Sequence, residues 1–247
     1  MSEMTWPEYS KMVKESIIFL PVGSTEQHGY HLPLGTDYIQ INEISKLVAK
    51  EVNGIVAPAI PYGYKSQANS GGGQIYSGTT SLDGNTLILL VKDVLLELIR
   101  HGATKIVVMD GHIENSLFLA ESIDLAIRES AKNDIKIIKC GYAAIMDEDV
   151  VIDMFPGDYP GLALEHAAFL ETSMMSYLAP DLVKMDRAVK EEHGTIPLYD
   201  VFPQPPDLVP KSGSLSDPTQ GNKADGKTLI DNMVQNCIKS VKAEFNV

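Results

Sequence analysis

The chain is poor in several things, and each shortage excludes something. Its 247 residues include only 2 cysteines and 1 tryptophan, and 20 Lys and Arg stand against 33 Asp and Glu. With so few thiols, and with Cys140 closing a strand-like run and Cys237 inside a helical pattern, both read as buried free thiols, not as a disulfide or a metal pair. A formal net charge of -13 argues against nucleic acid, whose binding depends on neutralising phosphates with basic side chains. No apolar stretch reaches the roughly 18 uncharged residues of a membrane span, and Met1–Glu8 lacks the basic and apolar regions of a signal peptide. The expectation is a cytoplasmic enzyme with no membrane and no nucleic-acid partner. There is no internal repeat, and residues 1–247 are expected to form one α/β domain, since such folds often reach this length undivided.

Strand-like apolar runs alternate with helical patterns, the signature of a mostly parallel sheet in a three-layer α/β/α arrangement. Strands are predicted at Ser16–Val22, Gly54–Ala59, Lys105–Met109 and Asp134–Cys140. Helices are predicted at Asp37–Glu51, Thr86–His101, Asn115–Lys132, Leu162–Leu178 and Asn222–Phe245, with Gly102 stopping the second. Tyr62–Thr80, rich in Gly and Ser, reads as a functional loop in which Ser70-Gly71-Gly72-Gly73 permits close backbone approach. A phosphate cradle is the competing reading, ranked lower because the Gly-Lys-Ser/Thr ending is missing. The proline-rich Gly194–Pro218 reads as a surface excursion or subunit contact.

Two mirror-image motifs carry the chemistry. Glu26-Gln27-His28 follows the first strand, and His112-Ile113-Glu114 follows the third. In extended backbone, residues i and i+2 project to one side, so each motif aims a carboxylate and an imidazole into a common space. Ligands gather outside the carboxyl ends of parallel strands, which directs both motifs to one site, and Asp37 supplies a fifth donor. Such a set suits a pair of divalent ions bridged by one carboxylate, able together to polarise a carbonyl and lower the pKa of a water. Imidazole and carboxylate without thiolate leave zinc, manganese, cobalt and nickel open.

Pro21-Val22-Gly23-Ser24-Thr25-Glu26-Gln27-His28-Gly29 with His31-Leu32-Pro33-Leu34 and Thr36-Asp37 resembles the opening signature of the creatininase (creatinine amidohydrolase) family. Gly63-Tyr64-Lys65-Ser66-Gln67, Ser70-Gly71-Gly72-Gly73, Gly78-Thr79, Gly111-His112-Ile113-Glu114-Asn115-Ser116, Glu165-His166 and Glu171-Thr172-Ser173 extend the resemblance over nearly the whole chain. It implies a creatininase-like fold, two divalent metals (zinc, manganese or both) and a homo-hexamer. It places Glu26, Asp37 and His112 on one ion, and His28, the bridging Asp37 and Glu114 on the other. Ser70 is then a substrate contact, and His166, with Glu165 before it, assists proton transfer at the scissile group.

The departures concern the substrate. Creatininases carry a tyrosine where this chain has Ile113, a tryptophan and an aspartate at Leu162-Ala163, and a further tryptophan near Ala143. Those losses remove groups that would stack on and hydrogen-bond a planar basic ring. The expected activity is metal-assisted ring opening of a small cyclic substrate by a cyclic amidohydrolase. The alternative is C–C hydrolysis of a cyclic keto-polyol such as 3-dehydro-scyllo-inosose. Other histidines read as bland: His101 meets a helix dipole, His193 is solvated, and His31 either supports the metal motif or lies on the surface.

Overall fold

The computed structural model describes residues 1–67, 69–192, 199, 201–205 and 208–247. His193, Ala68 of the glycine-rich loop and residues 194–198, 200, 206 and 207 of the proline-rich stretch lie outside the described residues. Four strands, β1 (Ile17–Val22), β2 (Gly54–Val56), β3 (Lys105–Asp110) and β4 (Lys136–Gly141), form a parallel sheet in the order β2-β1-β3-β4. The helices are α1 (Trp6–Met12), α2 (Thr36–Glu51), α3 (Gly84–Arg100), α4 (Ser116–Ser130), α5 (Glu148–Met154), α6 (Phe169–Leu178) and α7 (Lys223–Phe245).

The apolar runs form central strands because both faces are covered. All six residues of β1 are buried, and they alternate between two cores. Ile17 and Phe19 join α2, α6 and α7 on one face, whereas Ile18, Leu20 and Val22 join α3 and α4 on the other. This is the three-layer α/β/α arrangement, with continuous hydrophobic strands as expected of a sheet buried on both sides. Cys140 and Cys237 are free and buried in the first core.

Chain order places the site. From β1 the chain passes outward to β2, then returns to add β3 on the other side of β1. The carboxyl ends of β1 and β3 therefore flank the point where strand order reverses, the usual ligand crevice of an open α/β sheet. Both motifs leave the sheet there.

One expected helix is broken. Leu162–Leu178 divides into a 3-10 turn at Leu162–Leu164 and helix α6 from Phe169. Between them Ala167 takes φ 51°, a left-handed conformation that costs an alanine about 1–2 kcal/mol. Two carboxylates compensate at the helix start. Ala167 N–H donates to Glu171 Oε2 at 2.6 Å, and Leu170 N–H donates to Glu165 Oε2 at 2.9 Å. His166 thus stands in a turn, not on a helix, and the turn directs it inward.

Candidate metal centre

Asp37, in the first turn of α2, lies between two imidazoles. Its Oδ1 is 2.9 Å from His28 Nε2 and its Oδ2 is 3.0 Å from His112 Nδ1. Glu26 Oε2 adds a contact at 3.6 Å to His112, and Glu171 Oε2 one at 3.6 Å to His28. Two ligand sets sharing Asp37 result: Glu26, Asp37 and His112, and His28, Asp37 and Glu171, the donor atoms of each set lying within 4.8 Å of one another. A third grouping, Glu26, His28 and His166, overlaps them.

The donors fit metal. His28 Nδ1 lies 3.1 Å from the Glu26 carbonyl oxygen, and His112 Nε2 lies 3.1 Å from that of Tyr64. A proton held on each outward nitrogen for its carbonyl leaves the inward nitrogen bare toward the acids, the usual arrangement behind a ligating histidine. Among the described residues, Glu26 Oε1 and Oε2, His28 Nε2 and Asp37 Oδ2 are buried without a hydrogen-bond partner. Native interiors rarely leave such groups unsatisfied.

The electrostatics agree. Burial, reinforced by repulsion from Asp37, pushes the Glu26 carboxyl up to about 8, and burial pushes Glu171 up to about 7. Burial alone would lower His28, but Asp37 and Glu171 outweigh it and push the imidazole up to about 10, so that without an ion a proton takes its place on the inward nitrogen. So many buried acids at one point call for positive charge, and a divalent pair supplies it.

The second motif is not extended past His112. Ile113–Asn115 form a 3-10 turn, so the i, i+2 alternation expected there fails. Glu114, which the resemblance groups with His28, instead faces His112 Nε2 at 3.4 Å and accepts hydrogen bonds from Gln67 N–H at 3.0 Å and Ser70 Oγ at 2.6 Å. Asn115 ties the loops around it, accepting from Tyr64 N–H at 2.8 Å and donating to the Gly23 carbonyl at 3.1 Å.

Ser70, Ile113, Leu162, Tyr142 and His166 wall a cavity against the ligands. Its volume is about 10 Å³, close to the space one water needs, so a ring substrate enters only when the walls part. His166 Nδ1 is 3.2 Å from Glu26 Oε1. Burial, with His28 nearby, holds this imidazole well below the ordinary histidine range, so it is neutral.

Other expected residues stand elsewhere. Glu165 lies outside the cavity lining, its carboxylate held by Leu170 N–H and by Ser216 Oγ at 3.0 Å. Ala163 does not line the cavity. Nor does Ala143: its neighbour Tyr142 does, so one aromatic wall is kept. His31 is buried, with Nε2 2.8 Å from Thr172 Oγ1, which removes the surface reading. Glu171, Tyr142 and Gln27 are the site residues that sequence reasoning missed. Glu171 opens the conspicuous Glu171-Thr172-Ser173 run and Gln27 is the middle residue of the first motif, whereas nothing in the sequence marks Tyr142.

A family model described as "Creatininase: Creatinine amidohydrolase" matches residues 2–241. The chain is 40% identical over 251 residues to the creatinine amidohydrolase of Pseudomonas putida, spanning 99% of this chain and 96% of that one. A manganese form of creatininase superposes with TM-score 0.96 at 40% identity, covering 99% of this chain and 98% of its own. A zinc–zinc form of a creatininase mutant also gives 0.96 at 40% identity, covering 99% and 97%. A more distant relative, the 3-dehydro-scyllo-inosose hydrolase of Thermotoga maritima, is 28% identical over 195 residues, which span 76% of this chain and 59% of that protein.

Proposed function

The chain belongs to the creatininase family and is a metal-dependent hydrolase, and from that premise we propose that it opens a small cyclic amide, with creatinine itself a poor substrate. The observation that carries this reading is the cavity. Its floor is a shared-carboxylate ligand set, and its walls pair a neutral His166 with Tyr142, Ile113 and Leu162.

Glu26, Asp37 and His112 would hold one divalent ion and His28, Asp37 and Glu171 the other, with Glu114 beside the first. When bound, such a pair polarises a carbonyl and lowers the pKa of a water between them. The chain's own residues do the rest. Tyr142 and Leu162 cover the ring and exclude solvent, Ser70 fixes Glu114, and Ser70 and Ile113 border the ring. His166, with Nδ1 toward Glu26 and the cavity, moves the proton that the leaving nitrogen requires.

Substrate preference follows from the walls. Ile113 and Leu162 offer no polar group where creatininases carry a tyrosine and a tryptophan. Losing one hydrogen-bonding partner commonly costs about 1–3 kcal/mol, so several losses lower creatinine turnover by orders of magnitude. A screen of zinc- or manganese-loaded protein over cyclic amides, creatinine and keto-inositols tests this. We expect opening of a cyclic amide other than creatinine; efficient creatinine turnover would overturn the pocket argument, and cleavage of a keto-inositol alone would make this a C–C hydrolase.

By the same family resemblance we propose a homo-hexamer, and from the sequence reading a cytoplasmic location; a monomer mass in light scattering would contradict the assembly. No helix among the described residues is long and apolar enough to cross a membrane.

A further inference from the structure

Three imidazoles turn one nitrogen toward the centre, and their outward nitrogens differ. For His28 and His112 the outward nitrogen has a backbone carbonyl beside it, from Glu26 and Tyr64, each at 3.1 Å. For His166 the outward Nε2 has two neighbours at the same distance: the Gln27 backbone carbonyl at 2.9 Å and the Gln27 side-chain Nε2 at 2.9 Å. The first can only accept a hydrogen bond, and the second can only donate one.

The orientation of the Gln27 carboxamide is fixed by its other partners. Its Oε1 accepts from Gly29 N–H at 2.9 Å, and its Nε2 donates to the Gly213 carbonyl at 2.9 Å. A flipped amide would set its oxygen against the Gly213 carbonyl and its NH₂ against Gly29 N–H. Gly72 (φ 87°) and Gly213 (φ 84°) press on the amide so closely that a Cβ at either position would collide with it. The residue is 5% exposed, and its amide sits among its own turn at Gly29 and three other segments, Gly71–Gly72, His166 and Gly213.

One amide hydrogen is committed to Gly213; the second faces two acceptors. Fixed in the same amide plane, it is shared between His166 Nε2 at 2.9 Å and the Gly71 carbonyl at 3.5 Å, the second a long and weak contact. When His166 carries its proton on Nε2, that proton goes to the Gln27 carbonyl at 2.9 Å, the second amide hydrogen keeps only its long contact to Gly71, and Nδ1 is bare toward the cavity. When the proton is on Nδ1, Nε2 accepts from the Gln27 amide instead. Each neutral tautomer has a partner waiting, which is what a group that takes and returns a proton at Nδ1 needs. A ligating imidazole needs one tautomer only.

We propose that Gln27 is a positioning residue that gives His166 access to both neutral tautomers, while His28 and His112 are each held to one. The tautomer claim stands on geometry; its use in catalysis rests on the proton-transfer reading of His166 given above.

Long-range ¹H–¹⁵N correlation spectra of ¹⁵N-histidine-labelled, zinc-loaded protein test it, with the His166 signals identified by their loss in His166→Gln. We expect His166 nitrogen shifts averaged between bare and protonated values, and single-tautomer shifts for His28 and His112. Gln27→Met removes the side-chain donor, and Gln27→Glu replaces it with an acceptor; each should collapse His166 to the Nε2–H form. The same variants should lower kcat by about 10²-fold or more with a smaller change in KM. A single His166 tautomer in the wild-type protein overturns the proposal, as do spectra unchanged in a folded variant. If neither variant folds, the wild-type populations decide. Averaged tautomers together with full turnover by His166→Ala would leave the geometry standing and defeat the proton-transfer reading instead.

Discussion

A carboxylate that faces two imidazoles within 3.0 Å is the residue whose loss the centre can least absorb. Asp37→Ala removes a donor from both ligand sets, so elemental analysis after reconstitution should show both ions gone. Glu171→Gln weakens only the set containing His28, and should leave about one ion per chain. Glu114→Gln gives a third case: Glu114 faces His112 while Ser70 and Gln67 hold its other oxygen, so it should weaken the set containing His112. If Glu114→Gln instead emptied the His28 set and Glu171→Gln changed nothing, the grouping implied by family resemblance would be right and the geometric one wrong. Four of the expected donors, Glu26, His28, His112 and Glu114, stand out as short E-x-H and H-x-E spacings at strand ends, and Asp37 only by its nearness to the first. Glu171 was not legible as a donor, since it reaches the centre only through the turn at Ala167, and a left-handed alanine has no sequence signature.

Helix α6 shows how much of the site depends on one element's start. Glu165, expected beside His166 as a catalytic partner, satisfies Leu170 N–H and Ser216 Oγ and so fixes the turn that aims His166. Burial pushes its carboxyl up to about 7 from 4.5. The sign follows: between those values the folded chain binds more protons at this residue than the unfolded chain, so its contribution is fully present below 4.5 and is lost as pH rises through about 7. Comparing denaturant unfolding of wild type and Glu165→Gln across that window should show the wild type losing up to about 3 kcal/mol more. Parallel slopes would remove the argument.

Where α7 crosses α6, a Cβ on Gly226 would collide with the Ser173 backbone. Gly226→Ala should therefore cost about 1–3 kcal/mol of overpacking, read as a lowered denaturant midpoint. The strands and long helices were readable at this scale because their apolar periods are long. The helices Trp6–Met12 and Glu148–Met154 were not, being seven residues each, too short for a period to register. Lone-sequence reading also ran Leu162–Leu178 together, because nothing apolar is missing where the chain turns.

For the molecule as a whole, the centre couples folding to metal. Layers and sheet order bring donors from α2, α6 and the segments that follow β1 and β3 to one buried point, and without cations that point holds donors unpaired among the described residues in a chain already carrying -13. Ions that bind the folded form alone stabilise it by an amount that grows with their concentration over Kd, about 2.7 kcal/mol at a hundredfold excess. Dialysis against a chelator should accordingly lower the melting temperature, and zinc or manganese should restore it in a concentration-dependent way. Asp37→Ala supplies the control: with its bridging donor absent, its melting temperature should respond to neither chelator nor added metal. Differential scanning calorimetry of the four samples decides the matter, because a metal-independent midpoint in the wild type would mean that the buried acids are satisfied by protons alone.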